Sequence, residues 1–582
     1  MSEQVTPGQC DLLVVGSGAA GMTAAITAAG GGLKPLIIEK SAYFGGSTAV
    51  SGGAIWIPAN PLMRQAGMQD DAGQARRYIA GQAGHNYRDD LVRAFLEEGP
   101  KAIAFLHENT ALQFSCRVFS PDYHPDEDGA AQGGRVLDAL DYDGRALGEH
   151  LRDLRPPIRE FTILGGMQLN RPDIYHFLRM TRSIRSAAFA ARSIARYAYD
   201  RLVLGRSGRL VLGAAIAGRL AQSVFDKNIP LLLQHDLLSL ETDPSGRVIG
   251  AQVRTPAGNR RIRATHGVVL ATGGYPQNDE RRARTFAHVR QGLPHFSMSP
   301  RPSSGGGIEA AVAAGAAFVT SNSNAAFWAP VSLLPQPEGG YRPFPHLFMD
   351  RAKPGVIAVG HDGRRFVNEA LSYHDFVQGL ISKLLADGDR SAWLIADHHA
   401  VRRYGFGAVP AFPGGYRRHI RSGYLKSADT GDELARLCGI DPAGFAETLR
   451  RFNGDAERGK DEEFGKGSTS YQTYLGDPGN LPNPCLRALE GRLYAIEIFP
   501  GDIGTSMGLD IDAQGRVRRG DGGVIDGLFA CGNDVNSIMG GAYPGAGITL
   551  GPALTFGFIV GNTVAADLRN LSKTDPLREP GA

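Results

Sequence analysis

The 582-residue chain lacks the usual marks of a secreted, metal-bound or nucleic-acid-bound protein. Its five cysteines, Cys10, Cys116, Cys438, Cys485 and Cys531, are odd in number and widely spaced, with no C-x-x-C pair. That excludes a disulfide framework and a cysteine zinc site, so no metal is expected and a reducing, cytoplasmic setting is the default. Formal charge is only +3, from 62 basic against 59 acidic side chains, which gives no global argument for nucleic acid. The opening residues MSEQVTPGQCDLLVVGSG hold no basic stretch followed by an apolar run and a cleavage site, so no secretory leader is expected. Ala546 to Ala566 is free of charge, but Pro552, Asn562 and several glycines favour a buried helix over a membrane span. No histidine occurs before His85.

Glycine is plentiful, at 77 residues, and often clustered. Clusters of this kind let backbone approach something closely. Cys10 to Val15 is an apolar run that reads as a buried strand. Gly16-Ser17-Gly18-Ala19-Ala20-Gly21 follows, then an Ala-rich helical stretch from Met22 to Ala29. Leu36-Ile37-Ile38 reads as a second strand, closed by Glu39. This is the βαβ unit that binds dinucleotides. Gly16 allows the tight turn, Gly18 the approach to a pyrophosphate and Gly21 close helix–sheet packing, while Glu39 is placed for the adenosine ribose. Further strands are expected at Pro230–Leu233, Arg247–Val253, Gly267–Ala271 and Gly527–Cys531. The nucleotide domain is therefore expected to be discontinuous.

A second glycine-rich stretch follows Lys40: Gly45-Gly46-Ser47-Thr48 and Ser51-Gly52-Gly53. Small residues and hydroxyls so soon after Glu39 suit a flavin better than a nicotinamide. Ala271-Thr272-Gly273 and the turn Gly532-Asn533-Asp534 fit the rest of an FAD.

Together these pieces resemble the flavoprotein superfamily of fumarate reductases and 3-ketosteroid dehydrogenases, across nearly the whole chain. The matching strings are VVGSGAAG, EKSAYFGGSTAVSGG, ATGG, FVNEALSYHDF, RFNGDAERGKDEEFGKG, PGDIGTSMGLDID and GLFACGNDVNSIMGGAYPGAGITLGPALTFG. The ketosteroid 1-dehydrogenase branch is the most similar. The resemblance implies an α/β, Rossmann-like FAD-binding domain over 1–296 and 490–582, with an α+β catalytic domain inserted at 297–489. A helical, Arg-rich insertion is expected over 155–225. Members that hold flavin covalently carry a His near the second glycine cluster. Here Ser47-Thr48 stand there, which implies non-covalent FAD. The resemblance also sets a helix starting near Leu550 against the flavin, with Gly547, Thr549 and Leu550 beside it.

Dehydrogenation next to a ketone needs a base for the α-proton, donors for the carbonyl oxygen and a hydride acceptor. The resemblance makes Tyr373 the base, Tyr543 hydroxyl and Gly547 N–H the donors, and Tyr123 the partner of Tyr373. The family has Pro where Ser372 stands. The expected substrate is a cyclic ketone, foremost a 3-ketosteroid desaturated at carbons 1 and 2. A monocyclic ketone such as cyclohexanone or 4-oxocyclohexanecarboxylate is the alternative. A fumarate-type reductase would need His and Arg in the region SIMGGAYPGAGITLGPA, which has neither. A non-catalytic flavoprotein needs no tyrosine set. The electron acceptor is not legible. Finally, Arg179 to Arg209 carries eight arginines and one acid, Asp200, in the manner of a basic amphipathic helix. It is either a solvated face or a contact to a membrane surface.

Overall fold

The computed structural model describes residues 6–181, 183–411 and 415–574. Strand β1 (Gln9–Val15), helix α1 (Ala19–Gly30) and strand β2 (Pro35–Glu39) form the expected βαβ unit. Their apolar side chains are buried on both faces, as in a covered parallel sheet. The sheet has eight strands. Leu231–Leu233, β2, β1 and β3 (Gly258–Leu270) run side by side, and Val524–Ala530 joins the far edge of β3 in parallel. β3 is longer than the stretch expected from Gly267. Its first half, Gly258 to Ala264, pairs antiparallel with Val248–Thr255 and is exposed except at Ile262 and Ala264, so it shows no apolar run.

A second, seven-stranded sheet is built around β4 (Leu493–Thr505). β4 pairs with Ala326–Pro335 on one edge and Ala392–Asp397 on the other. The boundary expected at 490 would assign β4 to the nucleotide domain. We propose instead that the chain returns to that domain after Thr505.

The Arg-rich stretch starts at the last residue of one helix, Arg171–Arg179, and its central part is a second helix, α2 (Ile184–Leu204). Ser183 caps α2 by accepting from the Ser186 amide. Arg182 lies outside the described residues. Helix α3 (Tyr373–Asp387) opens on the expected base, and α4 (Leu550–Thr574) holds most of the uncharged run. α4 packs on α1 through glycine. A Cβ on Gly557 would lie 2.5 Å from Ala20 O, and one on Gly561 2.5 Å from Thr27 Cβ. Burial against α1 thus accounts for the missing charges. Among the described residues no helix is long and apolar enough to cross a membrane.

Candidate active site

One cavity of about 610 Å3 runs along the carboxyl ends of the parallel strands and on to the second sheet. Of the expected cofactor residues, Gly21, Gly45 and Asp534 lie outside it; all the others line it. Gly21 is a packing residue, since its Cβ would lie 2.1 Å from Gly16 O. Gly45 is held against Ala49 and Ala217, with φ +102°. Asp534 is fully buried and accepts from Thr272 N (2.5 Å), Thr272 Oγ1 (2.8 Å) and Gly274 N (2.8 Å). It shapes the Ala271–Gly274 turn and does not reach the cavity.

The remaining residues make a cradle of the form a dinucleotide requires. Gly16 has φ +111°, and a Cβ there would strike Ala271 O at 2.2 Å. Gly18 caps α1 with no side chain, and a Cβ on it would find its nearest neighbour, Thr48 Oγ1, 3.8 Å away. Gly52 and Gly306 meet nothing within 4 Å. Side chains at these three positions would take up cavity space. Glu39 is anchored at the end of β2, accepting from Ser17 Oγ (2.7 Å) and Ser41 N (2.9 Å). Sequence reasoning missed Arg155 beside it. That guanidinium donates to Ser41 Oγ at 2.9 Å, while its buried Nε has no partner. Arg155 has no motif around it, and only the fold brings it to the cavity.

At the far end three tyrosines converge from distant parts of the chain. Tyr123 and Tyr373 hydroxyls are 3.5 Å apart. The Tyr543 ring lies 5.0 Å from that of Tyr373 and 5.6 Å from that of Tyr123. All three are buried and line the cavity, as does Gly547. Gly547 has φ +96°, and its Cβ would strike Ala54 at 2.5 Å, so no other residue fits.

Local structure explains each placement. The Tyr123 loop is held by Asp122, which accepts from Trp56 Nε1 (2.8 Å), Ala131 N (2.9 Å) and Arg135 Nη1 (2.7 Å). Tyr123 N and Tyr78 Oη both donate to Pro544 O, at 2.9 and 2.7 Å, which ties this loop to the one bearing Tyr543. Tyr373 is the first residue of α3. Ser372 caps that helix by accepting from Asp375 N at 3.1 Å, so the departure from Pro leaves the helix start well made.

A fourth tyrosine, Tyr471, packs its ring 4.6 Å from Tyr123 and was not legible in the sequence. Burial pushes Tyr543 up to about 12, and pushes Tyr373 and Tyr123 well above the ordinary tyrosine value. Arg117 lines the cavity beside them, but Asp138 engages its Nε and Nη2 at 2.6 Å each.

A dinucleotide cradle and a buried tyrosine cluster along one cavity define a flavoprotein. The chain matches the FAD binding domain family over residues 11–550 and belongs to it. It is an FAD-dependent oxidoreductase. The 4-oxocyclohex-2-ene-1-carboxylate 5-dehydrogenase of Sinomonas cyclohexanicum is 37% identical over 564 residues, covering 96% of this chain and 94% of that protein. The 3-oxosteroid 1-dehydrogenase of Mycolicibacterium smegmatis is 34% identical over 577 residues, covering 97% and 98%. A crystal structure of 3-ketosteroid delta1-dehydrogenase from Sterolibacterium denitrificans, in complex with 1,4-androstadiene-3,17-dione, superposes with a TM-score of 0.87 at 33% identity. It covers 96% of this chain and 100% of that one. A flavocytochrome c3 fumarate reductase shares the fold, at TM-score 0.63 and 21% identity.

Proposed function

We propose that the protein desaturates the ring of a 3-ketosteroid between carbons 1 and 2, next to the ketone. FAD, when bound, supplies the acceptor for the hydride that leaves the β-carbon. The chain's own residues handle the proton and the oxygen. Tyr543 Oη–H and Gly547 N–H donate to the ketone oxygen and stabilise the charge that gathers there as the α-proton departs. Tyr373 Oη takes that proton. Tyr123 Oη, 3.5 Å from Tyr373 Oη, orients that hydroxyl by a hydrogen bond. Burial of all three keeps water from competing for the oxygen.

The observation that carries the steroid reading is the apolar lining of the cavity that holds the tyrosines, with Phe348 packed 5.6 Å from Tyr373. Phe161, Ile163 and Leu169 from the insertion, Phe344 from the second sheet and Leu347 and Phe348 from the loop after it line the cavity. A fused ring system fits such a wall. The alternative, a monocyclic keto acid, draws support from the Sinomonas relative. It would call for a free cation near the tyrosines, and Arg117 is already occupied by Asp138. The test is anaerobic mixing with 4-androstene-3,17-dione, cyclohexanone, 4-oxocyclohexanecarboxylate and, on reduced enzyme, fumarate. Flavin bleaching by the steroid is expected. Bleaching by monocyclic ketones alone would keep the chemistry and remove the steroid.

The insertion is proposed to rest on an anionic lipid surface, which suits a lipid-soluble substrate. On α2, Ile184 and Leu202 are 92% and 87% exposed, among the exposed Arg185, Arg192 and Arg201. Apolar and basic groups mixed on one helix match such a surface. Co-sedimentation with phosphatidylglycerol vesicles, lost in Leu202→Glu, is the expected result.

A further inference from the structure

Residues 404–411 form one wall of the cavity, next to wall residues from the 344–350 stretch. Behind both sits a closed ring of hydrogen bonds. Ala408 N–H donates to Tyr424 Oη at 3.1 Å. Tyr424 and Ser332 hydroxyls are 2.7 Å apart. Ser332 Oγ lies 2.8 Å from His346 Nε2, and His346 Nδ1 lies 2.5 Å from Asp350 Oδ2. Gly407 N–H donates to that same oxygen at 3.2 Å. The ring thus closes on the amide adjoining the one where it began.

Every link pairs a group able to donate with one able to accept, so the ring can be satisfied throughout. Asp, His and Ser stand in the order of a hydrolase triad. Ser332, however, is fully buried and away from the cavity, so no substrate can meet its oxygen. What the ring acts on is backbone. Gly407, at φ +53°, lies directly on it: a Cβ there would sit 2.5 Å from Tyr424 Oη and 3.0 Å from His346 Cε1. A buried polar network with all members satisfied makes a wall rigid.

We propose that the ring of Tyr424, Ser332, His346 and Asp350 fixes the 404–411 wall and so sets the length of cyclic ketone the cavity accepts. This rests on the cyclic-ketone reading above. Among the described residues no hydrogen bond or ring contact joins 405–411 to Tyr123, Tyr373 or Tyr543. In this proposal a ketone held at Tyr543 meets this wall with its far end. Tyr424, Ser332 and His346 are positioning residues, since they act through the wall and do not touch ligand.

Tyr424→Phe removes the acceptor for Ala408 and the link to Ser332 while keeping the aromatic ring. Hydrogen–deuterium exchange on the flavin-loaded protein should speed up by about tenfold or more over 405–411. The tyrosine-bearing segments should keep their wild-type rates. For 4-androstene-3,17-dione, KM should rise about tenfold with kcat within about twofold, the pattern of lost ground-state binding. The smallest ketone that bleaches the flavin should keep its wild-type KM. Ser332→Ala, a smaller change, should reproduce both results, and the double variant should be no worse than either single one. If Tyr424→Phe does not fold, Ser332→Ala carries both measurements. Unchanged exchange over 405–411, an equal KM rise for both ketones, or a fall in kcat without a KM change would each overturn the proposal. Should the wild type oxidise no steroid, the functional reading fails by itself. The exchange measurement then still decides the ring, and the largest ketone that bleaches the flavin takes the steroid's place.

Discussion

A tyrosine is an awkward base at neutral pH, and its surroundings here decide how awkward. Free tyrosine has a pKa near 10, so on the order of one in a thousand is phenolate at pH 7. Burial of Tyr373, followed by the Tyr123 and Tyr543 neighbours, raises it further. In the opposite sense acts the start of α3, where the helix dipole favours negative charge. The raised value wins, so the active phenolate is the minority form and turnover follows its fraction upward with pH. The expected kcat profile climbs through the alkaline range, and a plateau below pH 7 would refute it. Tyr373→Phe should abolish turnover and also the exchange of the substrate's α-hydrogen with deuterated water, while flavin binding persists. Exchange at the wild-type rate would transfer the base role to Tyr123. Tyr543→Phe should lower kcat by roughly 10²–10³, the loss typical of one oxyanion donor, with α-hydrogen exchange falling in step. Tyr373 and Tyr543 were legible because each sits in a string that resembles a family motif, whereas Tyr123 lies in none of those strings. Tyr471, Arg117 and Arg155 sit in no such string. They come to the tyrosines or the cavity by packing between distant segments, which periodicity and spacing do not record.

The element that delivers Tyr373 is held by buried charge. Arg365 donates to Glu369 at 2.9 and 2.8 Å and to Asp461 at 2.8 and 2.9 Å, and Lys466 Nζ lies 3.5 Å from Glu369. None of the four is appreciably exposed. Glu369 is four residues before Tyr373, so this network sets where α3 begins. Arg365→Ala would strand two buried carboxylates and should destabilise the fold by about 3–5 kcal/mol, measured as a shift in urea midpoint at constant slope. The pH dependence has a definite sign. Burial pushes Glu369 and Asp461 up, but Arg365 outweighs it and both end below the ordinary carboxylate value. Their contribution is complete above the unfolded carboxylate range. It is lost as pH falls through the lower folded values, and Arg365→Ala should flatten that acid limb. At this scale the sequence was readable where a strand is buried on both faces, as in β1 and β2. It was unreadable in the first half of β3, where a solvent-facing ribbon alternates charge with apolar residues.

At the scale of the whole molecule, two sheets meet along one cavity, and the glycines of the cradle divide into those the fold needs and those the cofactor needs. Gly16 and Gly21 are required by the fold, since any Cβ there meets backbone at 2.2 and 2.1 Å. Gly18 is different. Its φ of −75° is open to any residue, and nothing lies within 3.8 Å of its Cβ position. Gly18→Ala should therefore leave the apoprotein within about 1 kcal/mol of wild type, an ordinary N-cap change. The methyl group would enter the space where a pyrophosphate approaches the start of α1, so FAD affinity should fall about tenfold or more in a fluorescence titration. Gly21→Ala should instead lower the melting temperature of the apoprotein itself. With no histidine before His85, the flavin should leave wild-type protein intact on acid precipitation. Re-adding FAD at a hundredfold excess over its Kd should then restore about 2.7 kcal/mol of stability, seen as a higher melting temperature. Gly18→Ala should recover much less at the same FAD concentration. Wild-type FAD affinity in Gly18→Ala would mean that the cofactor does not approach the backbone at this turn, and yellow colour retained by the precipitate would mean that it is covalently held.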